Sequence, residues 1–177
     1  MGSWMCSKRN GKLMDIFSKE MLYAGGGEQV FVRPNLTANG TVGGNAFAVS
    51  GTTSSSSRPL YYAVDNSSST YWMLYLSSSS AVGYFIFYNP KALKVTELVL
   101  NCGSANYIPN TSSLVVQGSN DNSSWTTINK TVSVNSAVVT INLANTTFYN
   151  YYRLTLRRLN STYVYIADLG ITATYKG

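Results

Sequence analysis

The chain has 177 residues, 13 Lys and Arg against 7 Asp and Glu, no His, and a net charge of +6. That length suits one domain with a short extension, and such a domain can build a core without disulfides. The positive balance reflects few acids rather than many bases, since charged residues are only 11% of the chain, and no basic stripe interleaved with aromatics is present to track a phosphate backbone, so nucleic acid is not an expected partner.

Residues 1–28 read as an amino-terminal arm without the long apolar core of a secretory signal. Within it, residues 12–23 are spaced for a short helix, with Leu13, Ile16 and Phe17 on one face. Ala24 and three glycines then stop the helix and supply a hinge. Residues 29–177 read as the folded domain. Strand-forming residues recur there in short runs: 29–32, 46–49, 73–76, 83–88, 95–101, 114–118, a return starting at Trp125, 137–143, 151–157 and 163–175. Residues 83–88 are nearly all apolar, which predicts a strand buried on both faces, and Asn89-Pro90-Lys91 predicts a turn after it. Residues 151–157 alternate, with Tyr152, Leu154 and Leu156 on one face. Leu169, Ile171, Ala173 and Tyr175 share the inward face of the last strand. Serine runs at residues 54–57 and 77–80 read as exposed loops. Trp72 and Trp125, each on the strand side of a turn, read as core anchors, and Cys102 reads as a buried thiol. Short strands with frequent turn signals predict an all-β sandwich or jelly roll of about eight strands.

Catalysis is not expected. Without a histidine, neither a serine nor Cys102 has its usual base. The seven acids are scattered along the chain, so glycosidase chemistry, which needs two carboxyls close together, has little to work with. No phosphate-binding or dinucleotide fingerprint occurs.

Four stretches in order carry a family resemblance. Asn35-Leu36 opens the domain. Ala63-Val64-Asp65 with Thr70-Tyr71-Trp72 follows, then the hairpin from Gln117-Gly118-Ser119-Asn120-Asp121 to Trp125. Tyr151-Tyr152-Arg153-Leu154 and Val164-Tyr165-Ile166-Ala167-Asp168-Leu169 close the series. Together they resemble the coagulation factor 5/8 type C (discoidin) domains, related to the family 32 carbohydrate-binding modules, over roughly residues 34 to 176. Asn66 and Asn122 stand where the pattern has glycine, and asparagine tolerates positive φ better than other non-glycine residues. Asp168 stands in place of the usual glutamate.

The resemblance implies a discoidin-like jelly roll and a structural Ca²⁺. Carried over by position, Asp65 and Asp168 would offer carboxylates, Thr70 a hydroxyl and carbonyl, and Tyr62, Ser67 and Ala167 carbonyls. The metal-free alternative is that Asp65 caps its own turn and Asp168 bonds nearby N–H groups. The resemblance also implies a ligand site on loops at one end of the sandwich, where Arg58, Tyr75, Asn106, Tyr107, Asn110, Arg158 and Tyr163 are the candidates. Tyr107 with Asn106 and Asn110 best fits a sugar, which needs an aromatic face and fixed polar groups. The alternative for Tyr107 is that it packs back over its own loop. The expected function is a non-catalytic, lectin-like module that binds cell-surface or extracellular glycans. A structural or adhesion module of a larger assembly, such as a phage tail or bacterial surface appendage, is the other reading, with further subunits as partners. Either places the chain outside the cell, at its surface or on a virion. Lipid binding needs apolar spikes at loop tips, and the serine loops argue against it.

Overall fold

The computed structural model describes residues 27–177. Residues 1–26 of the arm, with its expected helix and most of the hinge, lie outside the described residues, while Glu28, expected in the arm, opens the first strand. Eleven strands follow in order: β1 Glu28–Val30, β2 Ala48–Gly51, β3 Trp72–Tyr75, β4 Gly83–Asn101, β5 Val115–Ser119, β6 Thr126–Thr127, β7 Lys130–Asn135, β8 Val138–Leu143, β9 Tyr149–Leu156, β10 Tyr163–Ile166 and β11 Asp168–Lys176. Short 3-10 turns cover Leu60–Ala63, Ala105–Tyr107 and Thr111–Ser113. The described residues form an all-β sandwich.

The strand that organises the sandwich is β4, which runs for 19 residues. Its first part, from Gly83 to Tyr88, lies between β2 and β9. Its second part, from Leu93 to Asn101, lies between β11 and β8. The register breaks between Tyr88 and Leu93. The expected turn at Asn89-Pro90-Lys91 is therefore a bend inside one strand, and it lets a single strand serve both layers. Proline is tolerated there because an irregular stretch of strand asks for no ladder donor. Asn150 Nδ2 donates to the carbonyls of Asn89 and Pro90, 3.0 Å each, and satisfies the bend. Farther along, two β11 neighbours, Thr172 and Ala173, face Glu97 and Val95, so Thr96 is an extra residue. That bulge switches the inward set from odd to even positions: Phe85, Phe87, Leu93 and Val95 are buried before it, Leu98 and Leu100 after it.

The first part of β4 is not buried on both faces as expected. Phe85 and Phe87 face the core, while Tyr84 is 39% exposed. Layer faces also decide the tryptophans. Trp72 is fully buried against Phe85, with ring centroids 5.2 Å apart. Trp125 corrects the expectation of a core anchor: it is half-buried and lies on the outer face, with the Arg153 guanidinium 4.2 Å from its ring. It stands just before β6, the last strand in the order of the large sheet. The strand β7 went unrecognised in the sequence because only Val132 and Val134 alternate in an otherwise polar, exposed run. The expected final strand divides at Ala167, with β10 pairing β3 and β11 pairing β4. Asn66 and Asn122 adopt φ of 60° and 59°, as their glycine-like positions require.

Candidate functional site

The ribbon β3–β10 is a two-stranded sheet of its own, outside the large sheet. Its pairing puts Trp72 opposite Ile166, Leu74 opposite Val164 and Tyr75 opposite Tyr163. Trp72, Leu74, Val164 and Ile166 are fully buried. The two-residue period then forces Tyr71, Tyr75, Tyr163 and Tyr165 to the opposite face. The sequence thus builds a tyrosine face by burying the residues between.

Two loops complete it. Tyr107, at the end of the Ala105–Tyr107 turn, lays its ring on Tyr165, with centroids 4.0 Å apart and planes at 26°. On Tyr165 also lies Tyr71, at 4.5 Å and 26°. The Arg58 guanidinium sits 4.1 Å from the Tyr71 ring. The result is a four-member stack in the order Arg58, Tyr71, Tyr165, Tyr107. Tyr163 flanks it 6.0 Å from Tyr165, and Tyr75, 49% exposed, lies 5.5 Å beyond Tyr163. The cation at one end suits the electron-rich faces of the rings. Burial, then the neighbouring phenols of Tyr71, Tyr107 and Tyr163, push the Tyr165 hydroxyl above its ordinary pKa, with Arg58 partly offsetting them. It stays protonated at neutral pH and serves as a hydrogen-bonding group rather than a charge.

Tyr107 borders two hollows. One, of about 220 Å³, includes Thr70, Tyr71, Cys102, Tyr165 and Ala167 in its wall. The other, of about 320 Å³, is formed by Asn106, Tyr107, Asn160 and Ser161. Ser104 Oγ accepts from Asn106 N at 3.3 Å and fixes the turn that presents both Asn106 and Tyr107. The second hollow offers an aromatic ring, two amides and a hydroxyl. Those groups match the mixed surface of a sugar, with C–H faces and hydroxyl edges.

Of the seven candidate ligand residues, the structure gathers Arg58, Tyr75, Tyr107 and Tyr163 into this face and puts exposed Asn106 beside it. Asn110 serves its own loop instead, where its Oδ1 accepts from Ser112 N at 3.1 Å and caps the Thr111–Ser113 turn. Arg158 pairs by backbone with Pro109, and its buried Nε has no hydrogen-bond partner among the described residues. Tyr107 does pack back, but onto the stack. Tyr71, Tyr165, Asn160 and Ser161 were missed. For the first two a signal existed, since Tyr163 and Tyr165 share strand parity, as do Tyr71 and Tyr75. For Asn160 and Ser161 none did.

The residues considered for a metal are placed differently. Asp65 Oδ1 accepts from Ser67 N at 2.9 Å and Oδ2 from the Thr70 hydroxyl at 2.7 Å. That hydroxyl also faces Ser67 O at 3.4 Å. Tyr62 lies in the Leu60–Ala63 turn. Ala167 N donates to Asn101 O at 2.7 Å where the chain steps from β10 to β11. Asp168 Oδ1 accepts from Arg33 Nη2 at 2.8 Å. No hydrogen bond among the described residues joins Asp65 to Asp168, and none of their His, Cys, Asp or Glu side chains gather in groups of three or more that could hold an ion. Asp65 thus accepts within its own turn, and Asp168 from an arginine.

Comparison with known proteins gives one family match: the model for the F5/8 type C domain covers residues 47–169. No curated protein sequence matches significantly. Solved structures share the fold at low identity. An F5/8 type C domain from Bacteroides fragilis is 12% identical, with a TM-score of 0.61 over 86% of this chain and 98% of that one. The family 32 module of Clostridium perfringens NanJ, solved with galactose, is 17% identical, with a TM-score of 0.58 over 71% and 93%. Chitosan-binding module 1 of a Paenibacillus chitosanase/glucanase is 21% identical, with a TM-score of 0.56 over 80% and 98%.

Proposed function

The chain belongs to the F5/8 type C domain family, and on that footing we propose that it is a non-catalytic carbohydrate-binding module that attaches to extracellular or cell-surface glycans through the tyrosine face. The observation that carries this reading is the stack that ends in Tyr107. A free tyrosine loses side-chain entropy when a ligand fixes it. Here the ring is already held by Tyr165, which is held by Tyr71 under Arg58. The platform is therefore preorganised, which lowers the cost of binding. Asn106, Asn160 and Ser161 around the same hollow supply donors and acceptors for hydroxyls. The chain has no histidine, and no Asp or Glu is among the described residues that line the two hollows. Solved modules of the same fold with galactose or with GalNAc-β-1,3-galactose support a glycan as the ligand class.

The test is a glycan array followed by titration calorimetry on the best ligand, with Tyr107→Ala and Asn160→Ala beside the parent. Each substitution is expected to weaken binding about tenfold or more, about 1.4 kcal/mol, with the melting temperature little changed because both groups lie at the surface. Equal affinity in the parent and in Tyr107→Ala would refute this site. An array without any bound glycan would refute the function.

A further inference from the structure

We infer that Arg33 supplies, from within the chain, the positive charge that relatives of this fold are expected to take from calcium, so that an internal ion pair locks the Asp168 corner. The segment carrying Arg33 is placed to do this. Phe31 is buried in the core, 6.0 Å from Phe47 by ring centroids, and its N–H donates to Ala173 O at 2.9 Å. Val32 points outward, 82% exposed, so strand parity turns Arg33 back toward the protein. Pro34 follows, which keeps Arg33 extended rather than helical. Three residues on, Leu36 N donates to Val64 O at 3.0 Å. The segment is thereby stitched both to β11, which starts at Asp168, and to the stretch that carries Asp65.

At its end the Arg33 side chain is only 11% exposed and Nη2 meets Asp168 Oδ1 at 2.8 Å, with the Asp168 side chain 37% exposed. Arg33 Nη1 is buried and has no acceptor among the described residues. A dication on Asp168 would stand against this guanidinium in a partly desolvated place, where like charges repel strongly. Calcium also asks for six to eight oxygens. Asp65, the other carboxylate considered for it, already accepts from Ser67 N and the Thr70 hydroxyl within its own turn. In Asp168 the carboxylate is one methylene shorter than glutamate, which draws it back from Asp65. A guanidinium reaching in from the amino-terminal side needs no such extension. It meets the carboxylate through one charge-assisted hydrogen bond, from Nη2 to Oδ1. One consequence is that adhesion by this module does not depend on the calcium level around it.

Thermal melts in excess EDTA and in millimolar calcium, terbium luminescence sensitised by tyrosine, and a double-mutant cycle on Arg33→Met and Asp168→Leu test the inference. The parent is expected to melt at the same temperature in both media and to give no saturable terbium signal. Each single variant is expected to lower the melting temperature by several degrees, and the double variant by less than the sum, the mark of a coupled pair. Should Arg33→Met fail to fold, Arg33→Lys keeps the charge without the fork and is expected to lie between it and the parent. A parent stabilised by calcium and destabilised by EDTA overturns the inference, as does stoichiometric terbium binding or strict additivity in the cycle.

Discussion

Substituting Tyr152→Phe removes one oxygen from the core and leaves the ring in place. Tyr152 is fully buried on β9, its ring stacked on Phe87 at 5.1 Å and edge-on to Tyr149 at 5.8 Å. Its hydroxyl sits where β4 bends and has lost regular ladder partners. It donates to Leu93 O at 2.7 Å, and it accepts from Val95 N at 3.2 Å and from Asn145 Nδ2 at 3.0 Å. Asn145 Nδ2 keeps a second acceptor in Val95 O at 3.1 Å. The variant therefore strands two buried backbone groups, Leu93 C=O and Val95 N–H. At about 1–3 kcal/mol for each unsatisfied group, the loss is about 2–4 kcal/mol after some local relaxation. In a domain of this size that lowers the melting temperature by roughly 5–15 °C. Urea unfolding followed by tryptophan fluorescence is the assay, with an unchanged m-value if the native state stays compact. Burial raises the Tyr152 pKa from 10.0 to about 12. The folded protein holds this proton more tightly than the unfolded chain, so the linked stability is whole below pH 10 and drains away as pH climbs toward 12. Tyr152→Phe should show a shallower alkaline loss than the parent. A destabilisation under about 0.5 kcal/mol, within the range of an ordinary surface change, would refute the claim that this hydroxyl satisfies the bend.

Asp121 carries the acid-side prediction. The backbone N–H groups of Ser124 and Ser123, at 2.7 and 2.8 Å, and then the Ser119 hydroxyl at 2.9 Å, hold its carboxylate well below its ordinary pKa. The stabilising effect is present above the unfolded-state value of 3.8 and is lost as pH falls through the lower folded value. In a carboxyl NMR titration Asp121 should remain ionised after an ordinary aspartate has protonated, and Asp121→Asn should flatten the acid dependence of stability; titration near 3.8 refutes this. Gly118→Ala tests packing between β5 and β9. An added Cβ would lie 2.2 Å from Tyr149 Cδ2, so a loss of about 1–3 kcal/mol is expected in the same urea assay, and tolerance of the methyl would show that Tyr149 has room to move.

The tyrosine stack has a bearing on how such a site evolves. Its inner members, Tyr71 and Tyr165, belong to a ribbon whose other face is core. The ring at the end, Tyr107, comes from a loop, as do Asn106, Asn160 and Ser161. Ligand preference can therefore shift by loop substitution while the platform stays.

By itself the sequence determined the fold class, because strand-length runs with a two-residue period and turn chemistry between them admit few other architectures. It also determined the local turns at Asn66 and Asn122, where positive φ follows from residue type and position. Strand parity in residues 71–75 and 163–165 contained the tyrosine face in outline. What only the tertiary structure decided are the relations between distant segments. Whether Asn89-Pro90-Lys91 ends a strand or bends it depends on β9 and β11 arriving on either side and on Asn150 reaching the freed carbonyls. Trp125 and Trp72 look alike along the chain, but one faces solvent beside Arg153 and the other faces the opposite layer. Asp168 pairs with Arg33, and 135 residues separate the two; a local pattern cannot foresee an ion pair that tertiary packing creates.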